Sequence, residues 1–445
     1  MALSGLEIYK LLPKTNCKDC GFPTCLAFAM QLAAKKASLD KCPHVSAEAK
    51  QALEGASQPP IKLVTVGTGD GKLQIGNETV MFRHEETFHH PAGVGFLIED
   101  SLDDAALKKK LDKINKLQFE RVGQRIGANV VAIKSASGDA AKFSQVVKSV
   151  CGSTKLNIVL VAEDPKVLAA GVEASKDRRP LLHGANKANV DEMVKVAKGA
   201  GLPLVAVASG LEEIAELTQK IKAAGVEEIV IDTGPKDLTA KVNDLTYARR
   251  MALRKTFRPL GYPAIAFTTS SEPADEIAEA ASFISKYAGI VIMKNCEPEE
   301  VLPILATRQD LYNDPQKPVQ VEPKVYDIGN VTKESPLIVT TNFSITYYTV
   351  AGEVEASKVP TRIMACDAEG MSVLTAWAAE KFTPETITRM LGTVNADSLV
   401  SHHTIVIPGY VAVMSGKLEE GSGWKIQVGP REASGLPNYL KNFKV

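Results

Sequence analysis

The sequence has no excess of charge of either sign and no long apolar run. Its 52 Lys and Arg residues balance 52 Asp and Glu residues, which gives a formal net charge of zero. A nucleic-acid-binding domain normally presents a basic face, so this balance argues against that class. Apolar runs stay below the roughly 18 residues of a membrane span, and the first residues lack the basic-then-apolar order of a signal peptide. We therefore expect a cytoplasmic protein that binds neither nucleic acid nor membrane.

Cysteine is scarce, and its distribution along the chain is uneven. Four of the seven cysteines share the first tenth of the sequence: Cys17, Cys20, Cys25 and Cys42. The other three, Cys151, Cys296 and Cys366, are isolated. A disulfide framework would require an oxidising compartment, for which the sequence gives no other sign. The spacing therefore favours a metal site in a reducing location.

The N-terminal cysteine spacing favours an iron–sulfur cluster over zinc. A Cys-x-x-Cys turn, Cys17 to Cys20, directs two thiolates into one space, and four thiolates hold a 4Fe–4S cluster. Gly21 permits close approach of the backbone. Structural zinc sites commonly use two separate Cys-x-x-Cys turns, and only one is present here. Zinc and a disulfide pair remain as alternatives at this point.

Residues 1–57 are predicted to form a small module with too few apolar residues for a core of its own. The pattern Leu6, Tyr9, Leu12 indicates a short helix that Pro13 stops, and a second helix is expected from about residue 23 to 36. The second helix would carry Cys25 in its first turn, where the helix dipole favours a thiolate. A bound metal cluster would therefore supply much of the module's stability.

Residues 58–320 are predicted to form a (β/α)8 TIM barrel with an N-terminal β extension. The extension contains three candidate strands, at residues 61–66, 72–75 and 78–82. From residue 93, apolar runs alternate with amphipathic helices, as is typical of parallel α/β folds. Eight runs are expected to be barrel strands, at residues 94–98, 128–133, 157–161, 181–183, 204–207, 228–232, 264–267 and 289–293.

The ends of these strands carry polar residues but no recognisable catalytic pattern. TIM-barrel enzymes place their active sites at the carboxyl ends of the strands. Asp232 and Asn295 lie at such positions, so a catalytic centre in the barrel is one alternative. Because Asp and Asn are also common helix caps, a docking or scaffolding role for the barrel is the preferred interpretation.

Residues 321–445 are predicted to form a doubly wound α/β domain. Four apolar strands are expected, at residues 337–341, 361–366, 404–407 and 425–428. Loops rich in Gly, Ser and Thr follow them, at residues 367–372, 408–409 and 429–435. Ligands of such folds bind beyond the carboxyl ends of the strands. Small neutral hydrogen-bonding groups there suit a large ligand with many amides, although capping and turn formation alone would account for them.

Taken together, the chain resembles the large subunit of the corrinoid iron–sulfur protein of the reductive acetyl-CoA pathway. The resemblance covers the whole length. It depends on the order of the domains and on three runs, at residues 17–42, 367–375 and 429–437. The cysteine spacing is its most specific element. The fold class it implies is α/β, with a small N-terminal 4Fe–4S module, a central TIM barrel and a C-terminal doubly wound corrinoid-binding domain.

The resemblance implies a methyl carrier rather than a stand-alone catalyst. Corrinoid cobalt, as Co(I), would accept a methyl group from methyltetrahydrofolate on a separate methyltransferase and pass it to CO dehydrogenase/acetyl-CoA synthase. A small barrel-shaped subunit would complete a heterodimer. Cys17, Cys20, Cys25 and Cys42 would ligate a 4Fe–4S cluster that returns Co(II) to Co(I).

By analogy with this family, the corrinoid is expected to rest on the C-terminal domain. The expected contacts come from strand ends and loops: Thr340, Thr346, Gly370, Met371, Ser372, Val373, Leu374, Thr375, Gly409, Ala433, Ser434 and Gly435. The seven histidines all lie outside an Asp-x-His-x-x-Gly motif. The corrinoid is therefore expected to be base-off, with no histidine on cobalt and with Thr375 as the leading candidate below the ring. Two alternatives to the methyl carrier stay open. The barrel could be a pterin-binding methyltransferase that holds a pterin at Asp232 and Asn295, or the chain could be a pure electron-transfer protein, which would contain no cobalt.

Overall fold

The computed structural model describes residues 5–33, 37, 39–46, 49, 59–314 and 317–444. Contacts divide the chain into two compact units. The first comprises Met1–Gln118 with Gly127–Tyr312, and the second comprises Phe119–Ile126 with Asn313–Val445. The three-domain division at residues 57 and 320 stays a prediction. Within the described residues, the helices fall short of the length and apolarity that a membrane crossing requires.

Two short helices form the described part of the N-terminal region. Helix α1 spans Gly5–Leu11 and helix α2 spans Cys25–Ala33, which confirms both predicted helices. The hydroxyl of Thr24 accepts a hydrogen bond from the amide of Ala27, so Thr24 caps α2. The predicted extension of α2 over residues 34–36 lies outside the described residues.

A β-hairpin packs against the inside of the barrel. Strands β1 (Val64–Val66) and β2 (Leu73–Ile75) pair antiparallel across a turn at residues 67–72. Their buried side chains belong to the same apolar cluster as the barrel interior. This hairpin confirms two strands of the predicted extension. The third prediction is wrong: residues 78–82 are irregular, and the Val80 carbonyl accepts hydrogen bonds from the Arg249 side chain instead of from a neighbouring strand.

Eight parallel strands close the barrel in chain order, as predicted. These strands are β3 (Gly93–Glu99), β6 (Val130–Lys134), β7 (Asn157–Val161), β8 (Leu181–Ala185), β9 (Leu204–Val207), β10 (Ile229–Asp232), β11 (Ala264–Phe267) and β12 (Ala288–Met293). Branched apolar side chains fill the interior, as is usual for this fold. The longer helices that connect or follow them are α3 (Asp104–Lys116), α4 (Ala140–Ser153), α5 (Pro165–Ala174), α6 (Val190–Ala200), α7 (Leu211–Ala223), α8 (Leu238–Arg254), α9 (Pro273–Ser285) and α10 (Pro298–Tyr312).

A second hairpin, which the sequence analysis did not predict, lies between α3 and β6. Its strands are β4 (Gln118–Arg121) and β5 (Gln124–Gly127), joined by a two-residue turn at Val122 and Gly123. Both turn residues have positive φ, 54° and 68°, as a tight hairpin turn requires. Residues 119–126 belong to the second unit by their contacts, although the chain on either side belongs to the first.

The second unit is built on a five-stranded sheet. Its parallel strands are β14 (Leu337–Thr341), β15 (Thr361–Cys366), β16 (Thr404–Ile407) and β17 (Lys425–Val428), as predicted. An unpredicted edge strand, β13 (Val325–Ile328), pairs antiparallel with β15, and the order is β13-β15-β14-β16-β17. The helices of this unit are α11 (Ser344–Ser357), α12 (Val373–Ala378), α13 (Pro384–Thr393), α14 (Ala396–Leu399), α15 (Ser415–Ser422) and α16 (Leu436–Lys441). The doubly wound prediction is confirmed as a fold.

Candidate functional site

The N-terminal cysteines lie in one small cluster around helix α2. Cys25 and Cys42 are buried together with Phe28, and Cys20 packs against the same cluster. All seven cysteines of the chain are free, in line with a metal site rather than a disulfide framework. Three of the four predicted ligands are thus gathered around the first turn of α2, where the helix dipole favours a thiolate.

Cys25 is held from both sides by Asn16. The amide of Cys25 donates to Asn16 Oδ1 over 2.7 Å, and the amide of Asn16 lies 3.4 Å from Cys25 Sγ. Asn16, Lys18 and Gly21 have positive φ of 49°, 70° and 82°. These left-handed residues lie before, within and directly after the Cys17–Cys20 turn. In anion-binding loops, left-handed residues of this kind direct main-chain N–H groups inward.

Cys17 lies at the exposed edge of the cluster, beside two residues that the sequence analysis did not single out. Ligand atoms of Cys17, Asp19 and His44 all lie within 4.8 Å of one another. The His44 ring nitrogen is 2.6 Å from Asp19 Oδ2. The hydrogen bond from His44, followed by one from Cys17, lowers the pKa of Asp19. Thiol, carboxylate and imidazole together are also a set that zinc accepts.

The second candidate site lies at the switch point of the five-stranded sheet. Strands β14 and β16 are neighbours in the sheet. The connection after β14 leads to β15 on one side, and the connection after β16 leads to β17 on the other side. Crevices at such points bind ligands in doubly wound folds. A cavity of about 240 Å³ opens here. The site therefore lies where the general rule for this fold places it.

Four predicted contacts line this cavity, and the others do not. Thr340, Thr346, Val373 and Ala433 are part of its wall. The remaining predictions lie on adjoining loops outside the wall: Gly370, Met371, Ser372, Leu374, Thr375, Gly409, Ser434 and Gly435. The sequence analysis missed further wall residues, namely Ile345, Thr349, Pro408, Tyr410, Pro430 and Arg431. Arg431 belongs to the loop 429–435, which the sequence analysis named. It was not predicted as a contact because only small neutral groups were expected there.

Three hydroxyl groups at the carboxyl end of β14 are buried without a hydrogen-bond partner. They belong to Thr340, Thr341 and Ser344, each at most 6% exposed. Leaving a buried hydroxyl unpaired costs roughly 1–3 kcal/mol. Unpaired groups of this kind are uncommon in folded proteins, so their concentration at one edge indicates a missing hydrogen-bonding partner.

The loops after β16 and β17 touch each other at Gly409. A side chain at this position would meet Gly429 O at 2.7 Å and Arg431 N at 2.8 Å. The amide of Gly409 donates to Pro430 O over 3.0 Å. Tyr410, the next residue, donates its hydroxyl to Glu432, and this bond raises the pKa of Tyr410. Glycine at 409 is therefore required for the two loops to close one wall of the cavity.

Large apolar side chains are exposed on the segments that follow the strand ends. They are Ile345, Leu374, Trp377, Tyr410 and Val413, of which Val413 is 76% exposed. Concentrated exposed apolar side chains commonly mark a ligand or partner surface. Apolar side chains with unpaired hydroxyls among them suit a large ligand that has both an apolar surface and amide groups.

The described residues place no histidine in the cavity wall. His402 and His403 precede β16, so they lie at the amino end of that strand, away from its carboxyl edge. His402 interacts with the carbonyl of Ser335. Thr375, the predicted residue below the ring, is exposed, and its hydroxyl lies 3.0 Å from that of Ser372.

The carboxyl end of the barrel contains a buried ionic network. Asp232 accepts hydrogen bonds from Lys241 over 2.7 Å, and His183 Nε2 lies 2.9 Å from its other oxygen. Burial would raise the pKa of Asp232, but Lys241 and then His183 outweigh burial and lower it below its usual range. Asp164, another strand-end residue, caps α5. These strand-end residues thus have structural partners within the barrel.

Comparisons with known proteins agree over most of the chain. A family model described as CO dehydrogenase/acetyl-CoA synthase delta subunit matches residues 63–440, and one described as a putative Fe–S cluster matches residues 12–44. Among solved structures, a dihydropteroate synthase from Coxiella burnetii covers 57% of this chain and 100% of its own, with 14% identity and a TM-score of 0.41. That similarity is too weak to inform on function.

Two curated relatives span nearly the full length. The corrinoid/iron-sulfur protein large subunit of Moorella thermoacetica is 47% identical over 441 residues, covering 99% of each chain. The acetyl-CoA decarbonylase/synthase complex subunit gamma of Methanothermobacter thermautotrophicus is 34% identical over 455 residues, again covering 99% of each. The chain therefore belongs to the family of corrinoid/iron–sulfur protein large subunits.

Proposed function

We propose that this chain carries a methyl group from methyltetrahydrofolate, delivered by a methyltransferase, to acetyl-CoA synthase. The observation that carries the proposal is the switch-point cavity, with the unpaired hydroxyl of Thr340 in its wall and exposed apolar side chains around it. A corrinoid would supply methyl-accepting cobalt as Co(I), and a 4Fe–4S cluster would supply the electron that returns Co(II) to Co(I). Family membership supports this interpretation.

The C-terminal unit is proposed to hold the corrinoid between its loops. The Thr340 hydroxyl, in the cavity wall, would hydrogen-bond an amide of the ligand, which removes the penalty of its burial. Val373 and Ala433 would contact its apolar parts from the cavity wall. The other predicted contacts, on the loops that adjoin the wall, stay predictions.

The cobalt is proposed to have no histidine ligand from this chain. The described cavity wall lacks histidine, and His402 and His403 lie beyond the other end of β16. An axial ligand is one of the means by which a protein tunes a metal's potential. A base-off corrinoid without a strong axial donor would favour the reduced state that the carrier role needs.

Cys17, Cys20, Cys25 and Cys42 are proposed to hold the 4Fe–4S cluster. Cys20, Cys25 and Cys42 belong to one local apolar cluster, which supports their ligating a common centre. Cys17 would complete the set from the exposed side, where Asp19 and His44 adjoin it. The small size of this apolar cluster agrees with a module that a bound cofactor stabilises.

The proposed partners follow from the proposed exchange. A small corrinoid iron–sulfur subunit would form the heterodimer, and the methyltransferase and CO dehydrogenase/acetyl-CoA synthase would bind in turn. The name of the archaeal relatives, subunits of an acetyl-CoA decarbonylase/synthase complex, supports assembly with other subunits. A cytoplasmic location stays a prediction.

The deciding experiment is the metal content of the protein purified without oxygen after co-expression with its small subunit. A ratio of about one cobalt to four iron is expected for one corrinoid and one 4Fe–4S cluster. Iron without cobalt, after corrinoid has been supplied, would favour the electron-transfer protein. Zinc at the cysteines would contradict the cluster. Methyl transfer from methyltetrahydrofolate by this chain alone would favour the pterin-binding barrel.

A further inference from the structure

Asn342 is a fully buried residue that follows strand β14. Its side chain hydrogen-bonds the loop 367–372 and the side chain of Gln320. Its Oδ1 accepts from the amides of Ala368 (2.9 Å) and Gly370 (3.1 Å). Its Nδ2 donates to Gln320 Oε1 (3.0 Å) and to Asp367 Oδ1 (3.3 Å). These four bonds use the full hydrogen-bonding capacity of an amide side chain.

We propose that Asn342 is the positioning residue for the loop 367–372, and that this loop presents the corrinoid contacts that follow it. The inference rests on the proposed function, because it concerns the same site. Asn342 itself belongs to the framework: both of its backbone groups are bonded, to Cys366 O (2.8 Å) and Val321 N (2.9 Å). A rigid residue at the end of a central strand is a suitable anchor for a loop.

The loop needs an anchor because its backbone is unfavourable. Glu369 and Gly370 have φ of 53° and 73°, a region that costs a non-glycine residue free energy. A Cβ at Gly370 would meet Gln320 Cγ at 2.7 Å. Gln320 is itself fixed by a bridge to Phe343. The loop is therefore held between two amide side chains, and Asn342 is the one that bonds its main chain.

An amide is the side chain that this position requires. The buried N–H groups of Ala368 and Gly370 need an acceptor, and the Nδ2 group of the same side chain donates to Asp367 and Gln320. Aspartate would satisfy the first pair but would direct a second carboxylate at Asp367. Leucine would fit the space but would leave buried polar groups unpaired, which is costly.

The position of the loop fixes the start of α12. Ser372 is the N-cap residue, Val373 lines the cavity and Ala376 is buried in the core of this unit. The amide of Ala376 donates to Ser372 O over 2.8 Å. A shift of the loop would therefore displace Val373 and the residues around it, although Asn342 lines no part of the cavity.

The test exchanges the two ends of one hydrogen bond. Asn342→Asp removes the donor to Asp367 and places two carboxylates opposite each other. Asp367→Asn alone keeps an acceptor for the Asn342 side chain. The double variant reverses the direction of the hydrogen bond, with residue 367 as the donor. We expect Asn342→Asp to weaken binding of hydroxocobalamin, reduced to Co(II), by about tenfold or more. The Asp367→Asn control and the double variant should stay within about threefold of the unsubstituted chain.

Two readouts separate positioning from general stability. The electron paramagnetic resonance spectrum of bound Co(II) should broaden in Asn342→Asp and recover in the double variant, whereas a purely structural role would change only the melting temperature. Hydrogen exchange at the amides of Ala368 and Gly370 should follow the same order without any corrinoid. If Asn342→Asp does not fold, the double variant decides: we expect it to fold and to regain exchange protection at the amides of Ala368 and Gly370.

Two results would overturn the inference. One is corrinoid binding and amide exchange in Asn342→Asp that equal those of the unsubstituted chain. The other is a folded double variant that recovers neither. If the unsubstituted chain itself binds no corrinoid, the proposed function fails, while the exchange measurement still decides whether Asn342 positions the loop.

Discussion

Asn16 and Cys25 are joined by contacts in both directions, with the Cys25 amide donating to Asn16 Oδ1 over 2.7 Å and the Asn16 amide 3.4 Å from Cys25 Sγ. Nine residues separate them in the chain, and the predicted ligands Cys17 and Cys20 lie between them. The pair therefore closes a loop that contains two of the proposed ligands. Hydrogen bonds near ligating sulfurs are one of the factors that set cluster potentials.

Asn16→Gly should make the cluster more labile. Glycine keeps the left-handed backbone at this position (φ 49°) but removes the acceptor for the Cys25 amide, a loss of about 1 kcal/mol. Release of iron to a chelator, followed by absorbance under anaerobic conditions, should be several-fold faster. Asn16→Asp is the matched control because it keeps the acceptor. Equal release rates from the glycine variant and the unsubstituted chain would refute the role of this bond.

Cys20→Ala should abolish reductive reactivation and leave methyl transfer intact in protein that is already reduced. Cys20 packs in the cluster with Cys25 and Cys42, and a 4Fe–4S cluster needs its thiolates. Reactivation is measured as the return of Co(I) absorbance after oxidation, with a low-potential donor. Cys151→Ala is the control, since Cys151 lies on α4 of the barrel. A pre-reduced Cys20→Ala protein that accepts no methyl group would contradict the assigned role.

Thr340→Val should change stability and corrinoid binding in opposite directions. The Thr340 hydroxyl is buried and unpaired in a cavity wall, so its removal should stabilise the apoprotein by about 1 kcal/mol. Corrinoid binding should weaken by about fivefold, because an amide of the corrinoid loses its proposed hydrogen-bond partner. Urea unfolding and corrinoid titration measure the two effects.

Thr341→Val provides the comparison for this prediction. Thr341 carries an equally buried, unpaired hydroxyl on the next residue of β14, but it is not in the cavity wall. Its removal should stabilise the apoprotein similarly and change corrinoid binding less. If both variants bind corrinoid as the unsubstituted chain does, the cavity at β14 is not the binding site.

Lys241→Met should destabilise the barrel strongly. Lys241 is 2% exposed and pairs with Asp232, which is 5% exposed. Removing one partner of a buried pair leaves an uncompensated charge, so we expect the free energy of unfolding to fall by roughly 3–5 kcal/mol. Urea unfolding at neutral pH measures the loss. The double variant Asp232→Asn, Lys241→Met should recover much of it, and a single variant as stable as the unsubstituted chain would contradict the pairing.

The same pair predicts a pH dependence. The pKa of Asp232 is lower in the folded chain than in the unfolded chain, because Lys241 and His183 stabilise the carboxylate. Its stabilising contribution is therefore present above the unfolded value, about 4, and is lost as the pH falls below it. Asp232→Asn should lose less stability than the unsubstituted chain between about pH 5 and 3. Identical acid dependence in the two proteins would contradict this assignment.

The strands of both sheets were predictable because buried parallel strands leave a local pattern. All eight barrel strands, for example Asn157–Val161, and three of the four parallel strands of the second unit, for example Thr361–Cys366, coincide with apolar runs. The fourth, Lys425–Val428, alternates polar and apolar residues and is partly exposed. The two short strands β4 and β13 carry mostly exposed or half-buried side chains. Without burial on both faces, they have no continuous apolar run to reveal them.

The candidate sites were predictable only in part, for a similar reason. The four N-terminal cysteines were identified because ligand type and spacing are local properties of the chain. His44 joins Cys17 and Asp19 only through folding. Arg431 and Thr340 share a cavity although 91 residues separate them, and no local pattern connects them.

The sequence by itself determined the positions of the barrel strands and of the parallel strands of the second unit, the spacing of the four cysteines that are proposed as ligands, and the strand ends from which loops emerge. These features depend on side-chain chemistry and periodicity within short windows. The tertiary structure alone decided which loop residues share the switch-point cavity, which hydroxyls lose their partners on burial, and that Asn342 bonds the loop after β15 rather than a ligand. Such relationships follow from the packing of distant segments, which creates contacts and removes water where the local sequence specifies neither.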